Sequence, residues 1–355
     1  ECGLLRRRFA TFSPHFPAMQ LQEKAEIEAW EPAVVQIDGQ PRPEELVAIG
    51  IRDGCTAVDY EALSASFVQQ ARQAVSGSGR HVDLRLGMEV RRITPAGGGF
   101  LVELGDLASK ERSTLRVRQV VVNAGAHSLL LAQTMGFGLQ YSCLPVAGSF
   151  YFTPDVLRGK VYTVQNDKLP FAALHGDPDV RTAGKTRFGP TALPLPLLER
   201  YRPSSFFGFL RVLRPDRAVL AVFTQLLADA DIRAYILRNL LFEVPWLRRR
   251  LFLREARKIV PGLQLEDLRF AEGYGGVRPQ LIDTPERRLI LGEVSLAPMP
   301  GLIFNVTPSP GGTCCLGTAE RDAESIARHL GCRFDRSRLE RELHGDPAAA
   351  TAEAG

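Results

Sequence analysis

The stretch Val120-Val121-Val122-Asn123-Ala124-Gly125-Ala126-His127 decides the fold class. Before it, Leu115-Arg116-Val117-Arg118-Gln119 alternates apolar and polar residues, and the alternation then gives way to an unbroken apolar run. A strand that is apolar on both faces needs cover on both, which is the situation of a parallel sheet. The run closes in small residues, and Ser128–Thr134 continues with the spacing of a helix. In open α/β sheets, dinucleotide-type ligands lie at the carboxyl edge of such a strand. Asn123, Ala124 and Gly125 are therefore candidate cofactor contacts. His127, just past the turn, is read equally well as a capping or packing residue.

A second strand–turn–helix follows near the end of the chain. Phe304-Asn305-Val306-Thr307 leads through Pro308-Ser309-Pro310-Gly311-Gly312-Thr313 into Cys314-Cys315-Leu316-Gly317, with a closing helix expected over Ala319–Leu330. Free amides at a helix N-terminus stabilise negative charge, and glycines let a flat or anionic ligand approach the main chain. Ser309, Pro310, Gly311, Gly312 and Thr313 thus suit the electron-rich edge of a reduced flavin ring, or else form a tight strand–helix turn with no ligand.

Working outward, a helical pattern covers Gln20–Trp30 up to Pro32, and Glu45–Arg52 reads as a strand before Asp53-Gly54. Asp59 is placed to cap a helix carrying Leu63, Phe67, Val68 and Ala71 on one face. His81–Ile93 and Phe100–Leu104 make a hairpin around Ala96-Gly97-Gly98-Gly99. From Pro145 to Phe270 short β-like pieces (Ser149–Thr153, Lys160–Gln165, Ala218–Thr224) and a helical region over Asp231–Ile259 suggest an inserted α+β domain.

Within that insert and just after it lie three further features. Ala173-Leu174-His175-Gly176-Asp177-Pro178 sets His175 between an apolar stretch and a turn, where it serves as a base near neutral pH or as a core residue. Lys185 and Arg187 lie a hairpin away. Gly273-Tyr274-Gly275-Gly276-Val277-Arg278-Pro279-Gln280 presents Arg278 between glycines and a proline, as a carboxylate clamp or as a solvated turn residue. Trp246-Leu247-Arg248-Arg249-Arg250-Leu251-Phe252-Leu253-Arg254 has the profile of an interfacial membrane helix, or of a packed helix with a solvated arginine face.

Composition narrows the rest. The 355 residues carry 44 Lys+Arg against 40 Asp+Glu, a net charge of +4 that gives no argument for nucleic acid. Cysteines at 2, 55, 143, 314, 315 and 332 have no zinc-like spacing, so no metal site is expected, and the pattern fits a reducing compartment. No apolar run is long enough to span a bilayer, and no signal peptide is visible.

Several longer words resemble those of the malate:quinone oxidoreductases, in the D-amino-acid-oxidase-like flavoprotein superfamily. They are Thr56–Tyr60, Val122–Ser128, Lys160–His175, Lys185–Pro196, Gly276–Gln280 and Thr307–Gly312, and the likeness runs from about Phe16 to His329. L-2-hydroxyglutarate oxidases share shorter versions. The resemblance implies an α/β plus α+β protein: a Rossmann-like FAD-binding domain, its N-terminal βαβ missing, interrupted by an antiparallel-sheet substrate domain. The corresponding boundaries are 1–145 and 273–335 for the FAD domain, 146–272 for the substrate domain and 336–355 for a disordered tail. It implies oxidation of malate to oxaloacetate, a step of the tricarboxylic acid cycle, with electrons passing through FAD to a quinone.

By the same resemblance, Arg278 binds the substrate carboxylate, with Arg187, Lys185 and Tyr274 around the substrate. Asn123–Gly125 and Ser309–Thr313 line the FAD, and Val90 meets its adenine side. His175 is the expected base and His127 its competitor. The location implied is cytoplasmic, with peripheral attachment to the inner face of the membrane through the 231–259 helix. One departure stands out: no G-x-G-x-x-G phosphate motif occurs anywhere in the chain. With Glu1 in place of a starting Met, the sequence reads as an N-terminally truncated piece, or else as an inactive remnant.

Overall fold

The computed structural model describes residues 1–52, 57–164, 173–290, 292–307 and 311–344. These fall into two compact units, one of Glu1–Leu84 with Ser142–Leu291 and one of Arg85–Tyr141 with Gly292–Gly355. The division differs from boundaries at 145 and 272, because residues 1–84 group with the expected substrate domain. Packing explains this. Ile27, Val34 and Val35 enter the same buried cluster as Tyr151, Phe188, Phe252 and Leu263.

The larger unit is built around an antiparallel five-stranded sheet. Its strands run in the order Val161–Tyr162, His175–Pro178, Lys185–Gly189, Tyr151–Pro154, Arg269–Phe270. Successive side chains alternate between its faces. One face carries Tyr151, Phe188 and Phe270 into the core, where Tyr151 stacks on Phe252 at 4.0 Å and meets Phe270 edge-on at 5.4 Å. A second sheet orders Leu193–Pro194, Tyr141–Ala147, Val277–Asp283 and Arg288–Ile290. Helices Ser205–Leu213, Arg217–Ala228 and Ala230–Leu241 belong to the same unit, and Val219 and Val222 join Leu144, Val146 and Ile282 in a second buried cluster.

Several local expectations change here. Ala218–Thr224 lies in a helix rather than a strand, started by Asp216, whose carboxylate accepts from Val219 N at 2.8 Å. The helix expected over 20–30 begins only at Lys24, after the strand Met19–Glu23. The continuous helix over 231–259 is two, Ala230–Leu241 and Arg248–Ala256, with Pro245 in the break. Three of its basic residues are tied down: Arg248 lies 3.9 Å over Phe270, while Arg249 and Arg257 donate to the Leu265 and Leu263 carbonyls at 2.6 and 2.7 Å. Phe252 and Leu253 point into the core.

The smaller unit pairs Val120–Val122 parallel with Leu302–Thr307, in the register Val120↔Leu302 to Val122↔Phe304. Val294–Met299 flanks Leu302–Thr307 antiparallel. A separate meander, Met88–Ala96, Gly99–Asp106 and Arg112–Val117, forms its own three-stranded sheet. The run read as one strand from 115 to 122 is thus split between two sheets at Arg118-Gln119. Among the described residues no helix is long and apolar enough to cross a membrane.

Candidate active site

In the smaller unit, both parallel strands end at one edge, and each runs on toward a helix. Helix Ala126–Thr134 follows one, and the 20-residue helix Gly311–Leu330 follows the other. Gly125, with φ +55°, turns the chain from strand to helix, a conformation that suits glycine. Ser128 holds the turn closed, accepting from Ala124 N at 2.9 Å. Asn305 donates to Asn123 Oδ1 at 2.7 Å and to Asp322 Oδ2 at 2.6 Å, while its own Oδ1 is buried without a partner among the described residues.

The strand ends, the first amides of a long helix and an orphaned buried amide oxygen suit a flat, polar-edged group such as the flavin ring. Asn123, Ala124, Gly125, Gly311, Gly312 and Thr313 all lie in this unit, whereas Ser309 and Pro310 fall outside the described residues. Val90 lies on the separate meander, partly exposed beside a register shift. A cavity of about 440 Å³ lies between Gly136–Gln140 and Ser295–Pro298, none of which is among these groups.

In the larger unit, the other expected residues gather around the face of the five-stranded sheet that looks away from Tyr151 and Phe188. Tyr162 pairs with His175, His175 with Gly189, Asp177 with Arg187, and Arg187 with Phe152. Residues directly opposite across an antiparallel pair share a face. His175 is 8% exposed, and its ring lies 4.7 Å from that of Tyr162. Its Nδ1 is 3.2 Å from the Ala173 carbonyl and its Nε2 is 3.8 Å from Asp177 Oδ1. Burial first, then the nearby Lys160 ammonium, pushes the imidazole down to about 4, so it is neutral at pH 7.

Arg187 does not stand free. It donates to Asp177 Oδ2 at 3.0 Å, lies within ion-pair distance of Asp179 Oδ2 at 3.2 Å, and sits 5.0 Å over the Phe150 ring. Lys185, two residues earlier, is exposed. Phe152 meets Tyr274 edge-on at 5.0 Å, which brings the glycine loop ahead of Arg278 against this face.

That loop is pinned at several points. Tyr201 Oη donates to the Tyr274 carbonyl at 2.7 Å, Tyr274 Oη lies 3.3 Å from Thr182 Oγ1, and Gly148 N donates to the Gly276 carbonyl at 3.2 Å. Gly275 has φ +93°. Arg278 emerges exposed at the start of Val277–Asp283, with no ion pair among the described residues, while Pro279 and Gln280 behind it are buried. An anchored strand with an exposed guanidinium is the arrangement a carboxylate clamp needs. His127, by contrast, belongs to the smaller unit.

Sequence reasoning missed Asp177 and Asp179. The signal was available, since residues two apart in a strand face the same way and His175-Gly176-Asp177 has that spacing. Among the described residues no group of His, Cys, Asp and Glu is arranged to hold a metal ion.

Residues 1–325 match the family described as FAD dependent oxidoreductase. Over 349 residues the chain is 44% identical to the probable malate:quinone oxidoreductase of Campylobacter jejuni, spanning 97% of this chain and 76% of that protein. It is 41% identical over 346 residues to the malate:quinone oxidoreductase of Helicobacter pylori, spanning 97% and 75%. Among solved structures, L-amino acid deaminase from Proteus vulgaris aligns at a TM-score of 0.53 and 13% identity, over 94% of this chain and 73% of that one. The FAD-complexed glycerol-3-phosphate dehydrogenase from Bacillus halodurans aligns at 0.52 and 16%, over 94% and 56%. At such identities these two speak for the fold alone.

Proposed function

The chain belongs to the FAD dependent oxidoreductase family and, within it, to the malate:quinone oxidoreductases, and from that premise we propose that it oxidises malate to oxaloacetate and passes the electrons to a quinone. One observation carries the assignment of roles. The larger unit presents Arg278, exposed and with no ion pair among the described residues, on an anchored strand, and its glycine loop packs against the sheet face that bears a neutral, buried imidazole.

Bound FAD supplies the acceptor for the hydrogen that leaves the hydroxyl-bearing carbon with its electron pair. In the smaller unit, Asn123–Gly125 and the amides of Gly311, Gly312 and Thr313 would hold the flavin ring, with Ser309, Pro310 and Val90 completing the contacts. Arg278 grips one malate carboxylate in bidentate fashion, fixing the substrate's orientation. Tyr274, edge-on against Phe152, walls that position. Lys185, exposed on the face that also bears His175, suits the second carboxylate better than Arg187, which already serves two aspartates. His175 takes the hydroxyl proton.

A quinone acceptor resides in a bilayer, so the same reading puts the protein on the cytoplasmic face of a membrane. The apolar side of the basic stretch over 248–257, Phe252, Leu253 and Ala256, is folded into the core of the unit. The better surface is the segment 202–246, where Phe207, Leu220 and Trp246 are 68, 66 and 74% exposed and Arg202, Arg211, Arg217 and Arg238 are exposed as well. Exposed apolar groups and arginines on one segment suit an anionic lipid surface.

The direct test is malate-dependent reduction of a soluble quinone analogue by the FAD-loaded protein, followed at the quinone's absorbance. Reduction with malate is expected. Turnover of 2-hydroxyglutarate with none of malate would overturn the assignment.

A further inference from the structure

We propose that Asp177 is the positioning residue for proton removal: it stabilises the imidazolium formed at His175, and is itself fixed by Arg187 and Asp179. The inference rests on the reading of His175 as the proton acceptor and deepens it.

Both ring nitrogens of His175 face oxygen acceptors. Nδ1 is 3.2 Å from the Ala173 carbonyl and Nε2 is 3.8 Å from Asp177 Oδ1. A carbonyl only accepts, so Nδ1 carries the hydrogen in the neutral ring and Nε2 presents its lone pair to a carboxylate oxygen. That oxygen is buried and has no hydrogen-bond partner among the described residues. Two acceptors facing each other suit the doubly protonated ring, which exists only after one more proton arrives. The distance is too long for a hydrogen bond and within reach of an ion pair once the ring is charged. Such contacts tighten when substrate binds.

The rest of the cluster fits this role. Asp177 cannot swing away, because its Oδ2 accepts from Arg187 at 3.0 Å, and Arg187 is held in turn beside Asp179. Lys160 and Tyr162 approach the ring from the neighbouring strand, and the Lys160 charge together with burial keeps it neutral until substrate binds. Asp177 acts the other way and favours the charged ring.

In turnover the substrate O–H bond breaks and its proton moves to the lone pair of His175 Nε2, which the 3.8 Å separation from Asp177 Oδ1 leaves without a hydrogen bond. The C–H hydrogen leaves with its electron pair, for which bound FAD would be the acceptor, and the carbon–oxygen double bond forms. Product departure then lets the imidazolium return its proton to water.

A double-mutant cycle tests this with malate and a soluble quinone analogue, FAD absorbance per chain being checked for each variant. D177N is expected to lower kcat about 100-fold with KM within about threefold, the scale seen when a group supporting a reacting residue is lost. Proton transfer then becomes rate-limiting, so a solvent deuterium isotope effect on kcat appears. D177E restores part of the rate, and D177N adds less than about threefold in an H175N background, because Asp177 acts only through the ring. D177N at near wild-type rate, or costing the same factor with His175 absent, would overturn the proposal. H175N turning over at the wild-type rate overturns the base assignment itself, which is a different failure. If D177N does not fold, the D177E isotope effect decides between the same outcomes.

Discussion

Gly275 lies against Gly148 so closely that a Cβ on Gly275 would stand 2.0 Å from the Gly148 carbonyl oxygen. With its φ of +93°, this makes residue 275 a position that only glycine fills without moving the backbone. Gly148 also donates its N–H to the Gly276 carbonyl, so two glycine segments are locked main chain to main chain. Arg278 follows three residues on.

G275A should therefore displace the Arg278 strand while leaving the core intact. The expected result is a loss in kcat/KM for malate of at least about 100-fold, the scale of an ångström-level misplacement. Steady-state kinetics read this, and circular dichroism should remain native. R278K in the wild-type loop keeps the charge but loses the bidentate fork, and should raise KM by about tenfold or more.

The neutral His175 makes stability depend on pH. Its pKa falls from 6.5 in the unfolded chain to about 4 in the fold, so between those values the unfolded state binds a proton that the folded state refuses. The contribution is fully present above pH 6.5 and is lost as pH falls through that window toward 4. It amounts to about 3 kcal/mol at most. Urea unfolding at about pH 7.5 and about pH 5 should show a drop that H175Q reduces.

Asn305 is the hinge of the flavin-side network. N305L removes the amide that joins Asn123 to Asp322 and leaves a buried carboxylate without its donor. A loss of about 1–3 kcal/mol in unfolding free energy is expected from the orphaned groups. FAD affinity, read by fluorescence quenching, should weaken as well.

For the membrane surface, F207S, L220S and W246S combined should abolish cosedimentation with anionic phospholipid vesicles. Malate oxidation with a water-soluble acceptor should persist at about the wild-type rate, since all three side chains are solvent-exposed. Undiminished vesicle binding would exclude this surface.

Much of the local structure is legible in the sequence. Asp59 caps its helix through Glu61 and Ala62 N, as its spacing indicates. The hairpin at Gly97-Gly98 and the strand–turn–helix at Gly125 stand where their glycines place them. What escapes has physical causes. Ala218–Thr224 is too short an apolar run for period to separate helix from strand. The grouping of residues 1–84 with Ser142–Leu291 depends on contacts of Ile27 and Val35 with residues more than a hundred positions away. At the candidate site, Arg278 and His175 are readable as chemistry-bearing residues. The engagement of Arg187 by Asp177 and Asp179 is not, since it depends on which side chains a register of antiparallel strands sets opposite each other.

The Asp177–Arg187–Asp179 cluster also constrains how this protein can diverge. Asp179 is fully buried, Asp177 nearly so, and Arg187 is the cation beside both. The two carboxylates already outnumber the one cation, so changing Arg187 alone leaves both without a partner, at a cost of about 3–5 kcal/mol for a buried pair. Arg187 is thus expected to vary only together with the aspartates in descendants of this sequence. A lineage that exchanges Arg187 for a neutral residue must pass through, or arrive with, a change at one of the aspartates.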